Sequence, residues 1–388
     1  MKRLFLTSAM AGLFAMAIAA SPAHADSDEA VTCRSAVLPV ALAEGQPANN
    51  TVSGELCATQ NELRDGATVQ LLIHGATYNR DYWNFGKFDG IEYSYARAVA
   101  ARGFATFAID LPGAGASSHP ESSQVTAQAA AFVAHQAVQA LRNGSIGRVQ
   151  FGKVIIVGHS LGSVVVWLEA STYADVDGVI VTGAAHSITT KFLTANALYP
   201  AVKDPKFANS GLDSGYLTTI PDSRVTLFYS APDFDPAILA ADEERKDVVP
   251  AAELSSGLPV VTSTATLVIR VPVLTILGSN DFTTCGPNPQ GGSFDCSSGA
   301  AVATQDAPFY SPEAKIHGCI VPGSGHDLSL AINHDLQIAD SVAWSSAFVD
   351  RTRSSENHDR DSFDHSDSGL PWNDGLPRNC GGISADSK

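Results

Sequence analysis

An α/β architecture, a mostly parallel sheet with helices on both faces, is predicted by three observations. Apolar runs of strand length alternate with stretches of helical length from about residue 65 onward. The runs at Val69–Ile73, Lys153–Val157 and Val271–Leu277 are nearly continuously apolar, as in strands covered on both sides. The residues best suited to chemistry fall just past the carboxyl ends of such runs, where an open parallel sheet brings distant parts of a chain to one edge. The 388 residues suffice for one large core with accessory segments.

Taken in order, residues 26 to about 64 read as strands at the sheet edge, and Val69 to Ile73 as a strand running into His74-Gly75. Helices are expected at Tyr93–Arg102, Ser122–Asn143 and Gly162–Tyr173. Strands are expected at Phe104–Asp110, from Lys153, at Asp177–Thr182 and at Lys315–Val321. Residues 187–224 interrupt this alternation with scattered aromatic and aliphatic residues and no clean strand pattern, which suits a small helical cap. The run Val225–Ser230 again reads as a strand. One domain over 26–350 follows, with a polar tail over 351–388 that has little expectation of regular structure.

The densest signal is Lys153-Val-Ile-Ile-Val-Gly-His-Ser-Leu-Gly162, an apolar strand running into a Gly-x-Ser-x-Gly turn with a helix behind it. A serine hydroxyl attacks poorly unless a sharp turn projects it toward a base, so Ser160 is the candidate nucleophile. Two partners follow in suitable places. Asp281 ends Val271-Pro-Val-Leu-Thr-Ile-Leu-Gly-Ser-Asn-Asp281, and His326 stands in Val321-Pro-Gly-Ser-Gly-His-Asp327. His326 would take the serine proton while Asp281 holds the imidazole tautomer and balances its charge. His317, inside a strand, and His334, inside a helix, are weaker bases by position. Asp233 and Asp235, after the Val225–Ser230 run, are rival acids.

The order Ser, Asp, His with an upstream His-Gly loop resembles the α/β-hydrolase superfamily, in its serine esterase and lipase-like branch, over roughly residues 65–350. The resemblance implies the α/β-hydrolase fold, an oxyanion hole formed by the backbone N–H groups of Ala76 and Leu161, and Asp281 rather than Asp233 as the acid. It also implies that the Gly-rich stretch Asp110–Ser117 is structural, and that the interval between Asp281 and His326, longer than usual for the family, holds an insertion. Serine at position 160 argues against the branches that need a carboxylate nucleophile. The substrate class implied is a small-molecule, lipid or polymer ester, with no cofactor and no metal. Amidases, carbon–carbon bond hydrolases and perhydrolases use the same triad, and a silent binding module on the same fold is the alternative of a different class. Tyr78, Trp83 and Phe85 after the oxyanion loop either line a pocket or pack the loop.

Composition fits an exported protein. Lys2 and Arg3, an apolar stretch to Ala20 and Pro22-Ala-His-Ala25 form a secretory signal peptide over residues 1–25, pointing to a secreted or periplasmic location. No later run is long and apolar enough to span a bilayer, so stable membrane insertion is not expected. A formal charge of −16 argues against nucleic acid as a partner. The oligomeric state is left open. Six cysteines suit an oxidising compartment, and proximity pairs Cys33 with Cys57, Cys285 with Cys296 and Cys319 with Cys380. The tail segment His358–Asp367 matches no zinc or calcium pattern and reads as a solvated charged stretch.

Overall fold

The computed structural model describes residues 30–350 and 376–382; the signal peptide expected over 1–25 and most of the tail lie outside the described residues. Nine strands form the main sheet: β1 (Thr32–Val40), β2 (Asn50–Ala58), β3 (Thr68–Ile73), β4 (Ala105–Ile109), β5 (Lys153–His159), β6 (Gly178–Thr182), β7 (Val273–Gly278), β8 (His317–Val321) and β9 (Cys380–Gly382). Their spatial order is β1-β2-β4-β3-β5-β6-β7-β8-β9. From β4 to β8 every neighbouring pair is parallel, while β1 with β2, β2 with β4 and β8 with β9 pair antiparallel.

The parallel strands are apolar throughout because both faces are covered. Leu71 and Ile73 of β3 and Val154 and Ile156 of β5 enter one core layer. The intervening Leu72, Ile155 and Val157 enter the layer on the other face. The first layer is roofed by α2 (Ala127–Arg142) and α3 (Leu161–Tyr173), the second by α1 (Tyr95–Ala100) and α7 (His334–Trp344). Helix α2 starts at Thr126, whose side chain accepts the Ala129 N–H. Its buried Ala130, Ala134, Ala137, Val138 and Leu141 recur at helical spacing toward the core.

The strand register aligns the carboxyl ends. Ile73 lies opposite both Ile109 and Gly158, His159 opposite Thr182, and Gly278 opposite Val321. The segments after β3, β5, β6, β7 and β8 therefore leave from one edge.

The excursion between β6 and β7 is not the small helical cap expected over 187–224. Within that range the only α-helices are the short Thr190–Leu193 and the start of Arg224–Phe228; the rest centres on strands Leu198–Pro200 and Tyr216–Thr219, which pair antiparallel and are completed by Val249–Pro250. Helices α4 (Pro236–Arg245) and α5 (Ala251–Gly257) follow. The expected strand at Val225–Ser230 is instead the helix Arg224–Phe228, because its buried residues Arg224, Leu227 and Phe228 fall on one helical face. Between Asp281 and His326 stand a hairpin of Gly286–Pro287 with Ser293–Phe294 and the helix α6 (Gly299–Asp306), which account for the length of that interval. The three disulfides join Cys33 to Cys57, Cys285 to Cys296 and Cys319 to Cys380. The first and third link residues directly opposite in register, so the tail expected to lack structure returns as β9.

Candidate active site

Ser160 alone makes the turn between β5 and α3, at φ 54° and ψ −119°. A non-glycine residue there costs on the order of 1–3 kcal/mol, so the surroundings must hold it. Its N–H donates to the Thr182 carbonyl at 2.8 Å, and its own carbonyl accepts the Ser163 N–H at 2.9 Å. The flanking glycines are required by space: a Cβ on Gly162 would stand 2.4 Å from the His74 carbonyl oxygen, and one on Gly158 2.5 Å from that of Gly162. The His74-Gly75 loop passes close over the turn, since a Cβ on Gly75 would lie 3.0 Å from that of Ser160.

Asp281 and His326 are brought together, both buried. The His326 Nδ1–H faces both Asp281 carboxylate oxygens at 3.0 Å. Thr283 donates its N–H and its hydroxyl to Asp281 Oδ1 at 2.8 and 2.7 Å. Burial alone would push Asp281 up, but the His326 charge and these hydrogen bonds outweigh it and hold the carboxyl below its ordinary range. Burial would pull His326 down; the charge and hydrogen bond of Asp281, with Asp327 behind, raise it above 6.5 instead. The ring rests on Phe228, centroids 5.6 Å apart, and the backbone N–H of His326 donates to the Phe228 carbonyl at 2.8 Å. The other ring nitrogen, Nε2, is buried with no hydrogen-bond partner among the described residues. Gly183 follows the Thr182 carbonyl that anchors Ser160, and a Cβ there would lie 3.0 Å from His326 Cε1. The Ser160 turn and the His326 ring therefore converge on Gly183.

The upstream loop is fixed by a neutral imidazole. His74 Nε2 accepts the Leu111 N–H at 3.0 Å, so its proton is on Nδ1, which donates to the Gly75 carbonyl at 2.9 Å. Burial keeps this ring below its usual pKa. Neither the Ala76 nor the Leu161 N–H donates to a backbone carbonyl among the described residues. Beyond Ala76 the loop enters a buried polar network. Arg224 grips Asp242 through two bonds of 2.8 Å and donates to Thr77 Oγ1 at 3.0 Å. Tyr229 donates to Asp242 at 2.9 Å, and the Tyr78 hydroxyl reaches both Asp242 and Asp327. Asp327 in turn stands 3.2 Å from His159 Nε2, and the His159 ring stacks on Tyr82 at 4.3 Å. The excursion between β6 and β7, the His74–Thr77 loop and the loop of His326 are thus one wired unit.

Other sequence candidates are placed elsewhere. Asp233 accepts the Ser324 hydroxyl and the Asn333 N–H, bracing the loop before His326 without touching its ring. His317 opens β8 and packs 4.2 Å from Phe348; His334 bonds the Ala331 and Glu92 carbonyls. Tyr78, Trp83 and Phe85 are all buried and pack the loop, Trp83 against Tyr95 at 5.1 Å. The Asp110–Ser117 stretch folds on itself, with the Asp110 carboxylate accepting the Arg80 and Ala116 N–H groups at 2.8 and 2.9 Å. Thr283, His159 and Asp327 are not singled out by the sequence, although the last two adjoin Ser160 and His326 in the motifs themselves. Arg224 and Asp242 leave no comparable signal. His159, His326 and Asp327 bring ligand-type atoms within 4.8 Å, yet their short contacts to one another, to Asp281 and to Thr182 already account for all but one ring nitrogen.

Residues 70–341 match the model of the Alpha/beta hydrolase family. Similar solved structures include a soluble variant of monoglyceride lipase from Saccharomyces cerevisiae, at 15% identity and TM-score 0.54, covering 76% of this chain and 91% of that one. An alpha/beta hydrolase fold protein from Chitinophaga pinensis aligns at 16% identity and TM-score 0.53, over 83% of this chain and 100% of the other. A thermophilic esterase from Thermogutta terrifontis aligns at 16% and 0.50, over 84% and 97%. No curated protein matches the chain. At such identities the structures speak for the fold alone, but the family match spans well over half of the sequence: the chain belongs to the alpha/beta hydrolase family.

Proposed function

We propose that the protein is an exported serine hydrolase that cleaves carboxylic esters through an acyl-enzyme. The observation that carries this reading is His326, with Nδ1 committed to Asp281 and a buried Nε2 left unpaired beside the strained Ser160 turn. Ser160 Oγ attacks the ester carbonyl carbon as its proton passes to His326 Nε2. Asp281 stabilises the imidazolium through Nδ1–H. The Ala76 and Leu161 N–H groups receive the oxyanion, a donor pair whose members are each worth about 2.7–4 kcal/mol in the transition state. The C–O bond to the alcohol breaks, His326 returns the proton to the leaving oxygen, and water activated by the same nitrogen releases the acid.

Three disulfides support an oxidising compartment, and no helix among the described residues is long and apolar enough to cross a membrane. Labelling with an alkyl fluorophosphonate tests the chemistry. Activity on p-nitrophenyl esters should disappear in step with one phosphonate on the peptide carrying Ser160, and Ser160→Ala should fold normally yet lose turnover by about 10⁶. Unchanged hydrolysis by that variant would remove the proposal.

A further inference from the structure

Toward the end of α3 away from Ser160, three ligand-type side chains meet and leave four of their polar atoms without a hydrogen bond among the described residues. His135 projects from α2, Glu169 from α3, and Asp175 from the turn that follows Ala174, the left-handed residue closing α3. Their ligand atoms lie within 4.8 Å of one another, with His135 Nδ1 2.9 Å from Asp175 and 4.0 Å from Glu169. His135 Nδ1, both Glu169 oxygens and Asp175 Oδ1 are buried and make no hydrogen bond among the described residues. Glu169 has a side chain 0% exposed. A carboxylate so buried without a donor is among the most expensive arrangements in a protein interior, and its nearest neighbours are a second carboxylate and an imidazole nitrogen. Such a set is reconciled by a shared proton or by a cation.

We propose that His135, Glu169 and Asp175 bind a divalent transition-metal ion of the zinc class, clamping α2 to α3. The separations bracket the roughly 3.3 Å expected between neighbouring ligands of a tetrahedral Zn²⁺ with bonds of about 2.0–2.2 Å, leaving a fourth position for water. An imidazole with two carboxylates suits Zn²⁺ better than Ca²⁺ or Mg²⁺, which prefer all-oxygen sets. Supporting contacts are in place. Gln139 donates to Asp175 Oδ2, Arg142 holds the Asp175 carbonyl at 2.6 Å, and the Tyr173 ring stacks on His135 at 4.0 Å. The partial exposure of His135 and Asp175, 22% and 18%, gives an ion its route in. Glu169 lies nine residues along α3 from Ser160, about 13 Å at 1.5 Å per residue, so the ion braces the helix rather than joining the chemistry.

The test is titration of chelator-treated full-length protein with ZnCl₂, read by calorimetry and by melting temperature. The expected result is one equivalent bound at micromolar affinity or tighter and a melting temperature raised by a few degrees. Glu169→Gln, which keeps the shape and removes the charge, should weaken that binding by at least about 100-fold, leave ester hydrolysis unchanged and be no less stable than the metal-free parent. His135→Gln, at a partly exposed position, should abolish the melting shift in the same way. No binding by the parent protein would mean that Glu169 and Asp175 share a proton, overturning the proposal. Binding that survives both substitutions would overturn it too, placing the ion elsewhere, for example on His358 and His365. Saturation by Ca²⁺ with no response to Zn²⁺ would refute the metal class.

Discussion

Two histidine–aspartate pairs stand side by side at the carboxyl edge of the sheet, with ring centroids 4.8 Å apart, and their electrostatics are opposite. Both rings are buried, and each has a carboxylate within 3.0–3.2 Å. Yet His326 is raised above the usual histidine range while His159, under burial and the neighbouring His326 charge, falls well below it. The acids mirror this. Asp281 is lowered, whereas burial raises Asp327 to about 6 despite His326, Arg224 and Tyr78 nearby. Two details separate them. Asp281 turns both oxygens to one imidazole and takes two more bonds from Thr283, while Asp327 divides its oxygens between His159 and Tyr78. His159 also has Thr182 Oγ1 3.2 Å from Nδ1, so both its nitrogens are engaged; His326 keeps Nε2 free. An aspartate partner by itself does not make a base, for which a charge balance favouring the imidazolium and one uncommitted nitrogen are both needed.

The comparison breaks most sharply at the acids. Asp281→Asn should lower kcat by about 10⁴, the scale seen when the acid of such a triad is neutralised. Asp327→Asn should cost far less, and equal losses would show that the two pairs act as one unit. Next comes the network behind Asp327. Arg224→Ala leaves Asp242 buried without its partner and should cost about 3–5 kcal/mol in denaturant unfolding. Because Arg224 also holds Thr77, the surviving folded enzyme should lose kcat more than KM. Thr283→Val removes one charge-assisted bond worth about 1.5–3 kcal/mol from Asp281 and should lower kcat by roughly 10-fold in steady-state assays.

The smallest effect is in pH dependence. In the proposed mechanism His326 must be neutral to accept the Ser160 proton, and its raised pKa should place the acid limb of kcat/KM above about 6.5 in steady-state profiles. Stability runs the other way. The raised His326 contributes fully below about 6.5 and loses its contribution as pH rises through its folded value. The lowered Asp281 contributes above about 3.9 and loses its contribution as pH falls through its folded value. The pair therefore stabilises the fold most between those limits, and a melting series should show its contribution, isolated as the difference from Asp281→Asn, greatest on the acid side of the activity optimum.

The frame of this molecule is legible where burial is uniform. The continuous apolar runs of β3, β5 and β7 can only be strands covered on both faces, and Ser160 is announced by glycines that the crowded turn requires. Asp281 and His326 are legible because each follows such a strand. The excursion between β6 and β7 is not, since strands of two to four residues leave no periodicity to read. Val225–Ser230 misleads for a related reason: its β-branched and aromatic residues favour a strand locally, while the buried Arg224, Leu227 and Phe228 dictate a helix. The polar wiring is least visible of all. Arg224, Asp242 and Thr283 resemble surface residues in sequence, and only their burial against one another distinguishes them.

If Ser160 is the nucleophile it carries the acyl group, and trapping that intermediate is the decisive experiment. Protein mixed with excess p-nitrophenyl ester, quenched in acid within the first turnover and mapped by mass spectrometry should carry one acyl group on the peptide containing Ser160, matched by a burst of p-nitrophenol of the same stoichiometry. Asp281→Asn should show a slower burst at the same residue. Rapid turnover with the acyl group on any other residue would rule out Ser160 as the nucleophile.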